Sequence, residues 1–131
     1  MLNGLLAICL ILVIIDAIWI NFVTGPIFNR MVKEIQGKEI NINMVGAFFS
    51  YACLAIGIYW FGYRNINSDN VWESALPAAL FGVVGYGLFD FTNMAIFDKW
   101  EVMPTIIDVA WGGAVCYATA IGAHMIYPND S

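Results

Sequence analysis

Four long apolar runs, separated by short polar stretches, cover most of the 131-residue chain. Each run has about 20 residues, the length that an α-helix needs to cross the hydrocarbon core of a bilayer. The pattern therefore predicts an all-α polytopic membrane protein, with a single transmembrane domain over residues 1–131. The predicted spans cover residues 2–23, 44–63, 74–97 and 104–127.

A shorter amphipathic stretch follows the first run. Gly25-Pro26 is expected to break the first helix, because proline has no backbone N–H to donate. Residues 27–36 then predict a short helix that ends at Gly37. Apolar and charged side chains fall on different faces of this helix, so we expect it to lie flat at the membrane interface. Asn41 or Asn43 is expected to cap the second span.

Composition argues against a water-soluble fold. Hydrophobic residues make up 61% of the chain and charged residues 11%, against roughly 45–50% and 25% in soluble domains. Five Lys and Arg residues in no cluster exclude a nucleic-acid surface. The three cysteines lie singly in three different runs, which gives no support to a dithiol or zinc site.

The positive charges predict an orientation. With four spans, the loops at residues 24–43 and 98–103 lie on one side of the membrane, and they hold four of the five cations. Cytoplasmic loops carry the excess of Lys and Arg. We therefore expect these two loops in the cytoplasm, and both termini on the opposite side.

Three aspartates interrupt the apolar runs, at Asp16, Asp90 and Asp108. A carboxylate at the centre of a span costs roughly 2.5–3.5 kcal/mol on insertion scales, and no Lys or Arg lies within a predicted span to pair with it. Counted from the span ends, all three lie roughly 7–11 Å below the same membrane surface. Equal depth on three helices predicts one shared site.

Each aspartate has a potential hydrogen-bond donor three residues later, which places donor and acid on the same helix face. Indole and carboxamide N–H groups can both donate to a carboxylate. We therefore predict a binding site of six residues, with no catalytic residue assigned and its metal preference left open: Asp16, Trp19, Asp90, Asn93, Asp108 and Trp111.

The same positions form a recognisable pattern. Its parts are Asp16-x-x-Trp19, Tyr86-x-x-x-Asp90-x-Thr92-Asn93 and Asp108-x-x-Trp111-Gly112. In this order they resemble domain of unknown function family 2177, small predicted four-helix membrane proteins. The resemblance extends over essentially the whole chain and implies a four-span architecture. It implies no activity.

Three functions compete at this point. Acids without basic partners favour the binding or transport of a proton or small cation, with a homodimer enclosing the pathway. Short loops and small residues would equally suit a non-catalytic accessory or assembly subunit of a larger membrane complex. A lipid-modifying enzyme is disfavoured, because the lone His124 supplies neither a hydrolase triad nor a set of metal ligands. No cofactor is expected, and the partners expected are the lipid bilayer and no nucleic acid.

Overall fold

The structure, a computed structural model, describes residues 1–129 and is helical without strands over that range. Asp130 and Ser131, which the predicted domain includes, lie outside the described residues. The helices are α1 (Leu2–Trp19), α2 (Gly25–Gln36), α3 (Met44–Gly57), α4 (Val71–Ser74), α5 (Leu76–Ile96) and α6 (Val102–Ile126). Two π-helical segments, Ile20–Thr24 and Ile58–Gly62, and a 3₁₀ turn, Tyr63–Asn65, extend α1 and α3.

Four continuous helical segments are long and apolar enough to cross a membrane. They are Leu2–Gln36, Met44–Asn65, Val71–Ile96 and Val102–Ile126. The prediction of an all-α, multi-pass membrane protein is therefore confirmed.

The predicted helix break at Gly25-Pro26 is wrong. The π-helical segment carries the helix through this point, because the N–H of Gly25 bonds to the carbonyl of Ile20, five residues earlier. A Cβ atom at position 25 would overlap that carbonyl oxygen, so the turn requires glycine. The continuous segment of 35 residues is about 52 Å long. The hydrocarbon core is only about 30 Å thick, so the far end of α2 extends past it.

The far end of α2 packs against the loop that follows α5. Met31 is fully buried and its sulfur accepts a hydrogen bond from the backbone N–H of Glu101 at 3.2 Å. Arg30 forms an ion pair with the Glu101 carboxylate at 2.9 Å. Lys99 donates to the backbone carbonyl of Glu34 at 3.2 Å. The loops after the first and third spans therefore meet at one end of the molecule. That α2 lies flat in the membrane interface stays a prediction.

The second span begins where the sequence predicts. The side chain of Asn43 accepts hydrogen bonds from the backbone N–H groups of Val45 and Gly46, at 3.0 and 3.2 Å. Such a cap satisfies two donors that have no partner inside the helix. Of the two predicted caps, Asn43 is the one used.

α6 is the most buried of the four spans and packs against both α5 and α1. The closest approach is to α5, where a Cβ atom on Gly82 would lie 2.6 Å from the carbonyl carbon of Gly112. Small residues at such a crossing let the two backbones approach without a side chain between them. α3 packs mainly on α1, and this arrangement brings all four spans around the aspartates.

Candidate carboxylate site

Asp16 is a buried carboxylate held by side chains from two other helices. It projects from α1 with only 6% of its surface exposed. Tyr51 of α3 donates its hydroxyl to Oδ2, and Trp111 of α6 donates its indole N–H to Oδ1 at 3.1 Å. Each carboxylate oxygen therefore accepts one hydrogen bond, and both donors are neutral.

Asp90 and Asp108 form a second pair of carboxyl groups in the same region. Asp90, on α5, is fully buried, and Asp108, on α6, is partly buried. Their carboxyl groups are within hydrogen-bonding reach of each other. Among residues 1–129, no donor group forms a hydrogen bond with either oxygen of Asp90. A hydrogen bond between two carboxyl groups needs a proton on one of them.

Tyr86 of α5 links the two parts of this site. Its ring lies directly against Gly112 of α6, where a Cβ atom would overlap the ring. Tyr86 lies close enough to Asp16, Asp108 and Tyr51 to interact electrostatically with each. Asp108 in turn interacts electrostatically with Asp16. We refer to Asp16, Asp90 and Asp108 as the carboxylate site.

The hydrogen-bond donors differ from those that the helical spacing predicts. Trp111 donates to Asp16 on another helix and not to Asp108 on its own. The indole N–H of Trp19 is buried without a hydrogen-bond partner in the described part of the chain. Trp19 instead stacks on Trp111, with ring centroids 4.1 Å apart and planes 3° from parallel. The expectation that each acid is bound by its own i+3 neighbour is therefore wrong for both tryptophans.

Asn93 has no part in this network. Within residues 1–129 its side chain forms no hydrogen bond, and its backbone carbonyl accepts the N–H of Phe97 at the end of α5. The structure thus brings together five of the six predicted site residues and leaves Asn93 aside.

Two tyrosines in the site did not follow from the sequence argument. Tyr86 stands in the second part of the motif pattern, but it is not among the six residues that the sequence predicts for the site. Tyr51 could have been found by depth, because it lies seven residues after the start of α3 at Met44. That spacing places it about 10 Å below the surface, level with Asp16.

The described ion pairs all lie at the end where α2 meets the loop after α5. They join Arg30 to Glu34 and to Glu101, and Lys33 to Glu39. None of those pairs includes a carboxylate of the site. No group of three or more His, Cys, Asp or Glu side chains among the described residues is arranged to hold a metal ion.

Comparison with known protein families identifies the family of this chain. The family model described as "Predicted membrane protein (DUF2177)" matches residues 1–125. No curated protein matches the chain, and no solved structure matches it. The family match covers the first three spans, all but the last residue of the fourth, and every residue of the carboxylate site.

Proposed function

This chain belongs to the DUF2177 family of predicted membrane proteins, and we propose that it binds a proton or a small cation at its carboxylate site. The observation that supports this proposal is the convergence of three aspartates from three helices. None of the described ion pairs joins a basic side chain to one of these aspartates. Ionisable groups inside a membrane are costly and commonly mark ion or proton pathways.

The neutral donors around Asp16 favour a guest that brings positive charge. Tyr51 and Trp111 can orient the carboxylate, but a neutral donor does not cancel its charge. A proton on Asp16, or a cation beside it, would do so. The Asp90–Asp108 pair likewise needs one proton or one cation to offset the repulsion between two carboxylates at close range.

Transport would require more than one copy of this chain. Four helices around a packed centre leave little room for a pathway, so we place the pathway at a homodimer interface. The loops at residues 24–43 and 98–103, with most of the positive charge, would then face the cytoplasm. The carboxylate site would lie nearer that surface.

Tryptophan fluorescence tests the binding proposal. Trp111 touches Asp16 directly and stacks on Trp19, so a change of charge at Asp16 should alter their emission. We expect the purified protein in phosphatidylcholine vesicles to change its emission as the pH is lowered or as a monovalent cation is added. Asp16→Asn should remove the response, because the amide keeps the size of the side chain but carries no charge.

Asp69→Asn is the matched control, since Asp69 is an exposed loop residue remote from this site. It should keep the full response. The proposal would be contradicted if the emission of the parent protein did not respond to pH or cations and the Asn variants at all three aspartates were as stable as the parent. That result would favour the alternative of a non-catalytic accessory or assembly subunit, in which the acids only tie helices together.

A further inference from the structure

An apolar groove runs between α1 and α3 on the outside of the helix bundle. Its volume is about 520 Å³ and it is open along one side. Residues of α1 and α3 line it, including Leu5, Cys9 and Leu12 on one wall and Met44, Phe48 and Ile56 on the other. In a membrane-spanning protein this open side faces lipid chains.

The Tyr51 side chain links the groove to the carboxylate site, although Asp16 itself does not line the groove. The Tyr51 side chain lines the groove, and its hydroxyl donates to Asp16. Apart from this hydroxyl, the lining consists of hydrocarbon side chains, the thiol of Cys9 and the thioether of Met44. A molecule lying in the groove would therefore contact apolar groups along its length. At the Tyr51 hydroxyl it would come close to the Asp16 carboxylate.

This arrangement defines the chemistry of the occupant. The groove suits a single hydrocarbon chain, and Asp16 has charge complementarity with a cationic head group. We infer that the guest is an amphiphilic cation with one apolar chain, which reaches Asp16 laterally from the bilayer along the α1–α3 groove. The inference rests on the proposed function and adds to it a substrate class and a route of entry.

The apolar chain and the cationic head group of the guest have different roles in binding. Lipid chains are as apolar as the groove walls, so burial of the guest chain gives little net hydrophobic free energy. The chain concentrates the guest in the membrane and aligns it in the groove. Binding strength must then come from the attraction between the head group and Asp16, which is strong because little water is present to screen it.

Binding of three probes to the protein in phosphatidylcholine vesicles tests this inference, with protein-free vesicles as the blank. Dodecyltrimethylammonium has the chain and the charge, tetramethylammonium has the charge alone, and dodecanol has the chain alone. We expect a saturable change of tryptophan emission with dodecyltrimethylammonium. The other two should need at least about a tenfold higher concentration, a ratio that corresponds to ~1.4 kcal/mol.

Variants separate the groove from the carboxylate. Ala52→Phe fills the groove from α3, and we expect it to weaken binding of dodecyltrimethylammonium by at least about tenfold. Cys53→Phe adds the same ring at the next position of α3, which is exposed and outside the groove, and should leave binding unchanged. If Ala52→Phe does not fold, Val13→Phe fills the groove from the exposed wall of α1. Asp16→Asn should abolish binding.

Three outcomes would overturn the inference. In the first, dodecyltrimethylammonium and tetramethylammonium bind equally well, and the binding is unaffected by groove filling but lost in Asp16→Asn. This result would refute lateral entry and leave the proposed cation binding intact. Dodecanol binding as well as dodecyltrimethylammonium, with no effect of Asp16→Asn, would refute the cationic class. No saturable response to any probe would refute the groove as a binding site, and the pH response described above would then decide separately whether the site binds a proton.

Discussion

At the scale of single residues, the central feature is how Asp16 is stabilised in the bilayer. Its two oxygens accept hydrogen bonds from Tyr51 and from Trp111. A buried acceptor that loses its partner costs about 1–3 kcal/mol, and more if it is charged. The Asp16 contacts therefore join α1, α3 and α6 and also fix the orientation of the carboxylate.

The two stacked tryptophans allow a controlled test of the Trp111 hydrogen bond. Trp111→Phe and Trp19→Phe remove similar ring area from the same stack. Only Trp111 donates to Asp16, whereas the indole N–H of Trp19 has no partner in the described region. We expect Trp111→Phe to lower the free energy of unfolding by about 1–3 kcal/mol more than Trp19→Phe does. Denaturant unfolding in detergent micelles measures the difference, and equal losses would mean that the hydrogen bond does not stabilise the fold.

At the scale of helices, the packing of α5 on α6 depends on which glycines of α5 lie against the α6 backbone. Gly82 lies against the backbone of Gly112, which cannot move aside cheaply, whereas Gly85 has nothing within 4 Å of the position that a Cβ would occupy. The two glycines stand three residues apart on one helix, so they have similar intrinsic propensities and different surroundings.

Alanine substitution at these glycines should therefore have different effects on stability. Gly82→Ala forces α5 and α6 apart, and overpacking of this kind costs about 1–3 kcal/mol. Gly85→Ala gains helix propensity, and should be neutral or stabilise by up to about 1 kcal/mol. The thermal unfolding midpoint in micelles measures both, and a Gly82→Ala variant as stable as the Gly85→Ala variant would contradict the close α5–α6 contact.

The sequence predicts the helices of this protein better than it predicts their mutual rotation. Length and apolarity are enough to locate four spans, and the Asn43 side chain marks the start of α3. The spans are apolar on nearly every face, however, so periodicity does not tell which face meets a neighbour. For that reason depth alone could group Asp16 with Asp108, while the donation from Trp111 across to Asp16 could not be predicted. The continuous helix through Gly25-Pro26 could not be predicted, because a π-helical turn has no simple sequence signal.

At the scale of the whole molecule, the two ends of the bundle differ in charge. At one end, Arg30 forms an ion pair with Glu101, and Lys99 bonds to the carbonyl of Glu34, so the α2 region and the loop after α5 form one surface. At the other end, Arg64 lies 3.6 Å from the centroid of the Trp60 ring. The carboxylate site is nearer the first end. The orientation of the protein in the membrane therefore decides which aqueous compartment is closer to the site.

Topology reporters test this orientation. Green fluorescent protein and alkaline phosphatase, fused to chains truncated after Gly37, Asn67 and Lys99 and to the full chain after Ser131, report opposite sides of a bacterial inner membrane. We expect fluorescence after Gly37 and Lys99, because cytoplasmic loops carry the excess of positive charge. Phosphatase activity should follow Asn67 and Ser131. If all four assignments are reversed, the four spans stand and the charge argument is wrong, which places the carboxylate site near the outer surface. If Gly37 and Asn67 report the same side, α3 does not cross the membrane, and the contact between Tyr51 and Asp16 cannot form inside it.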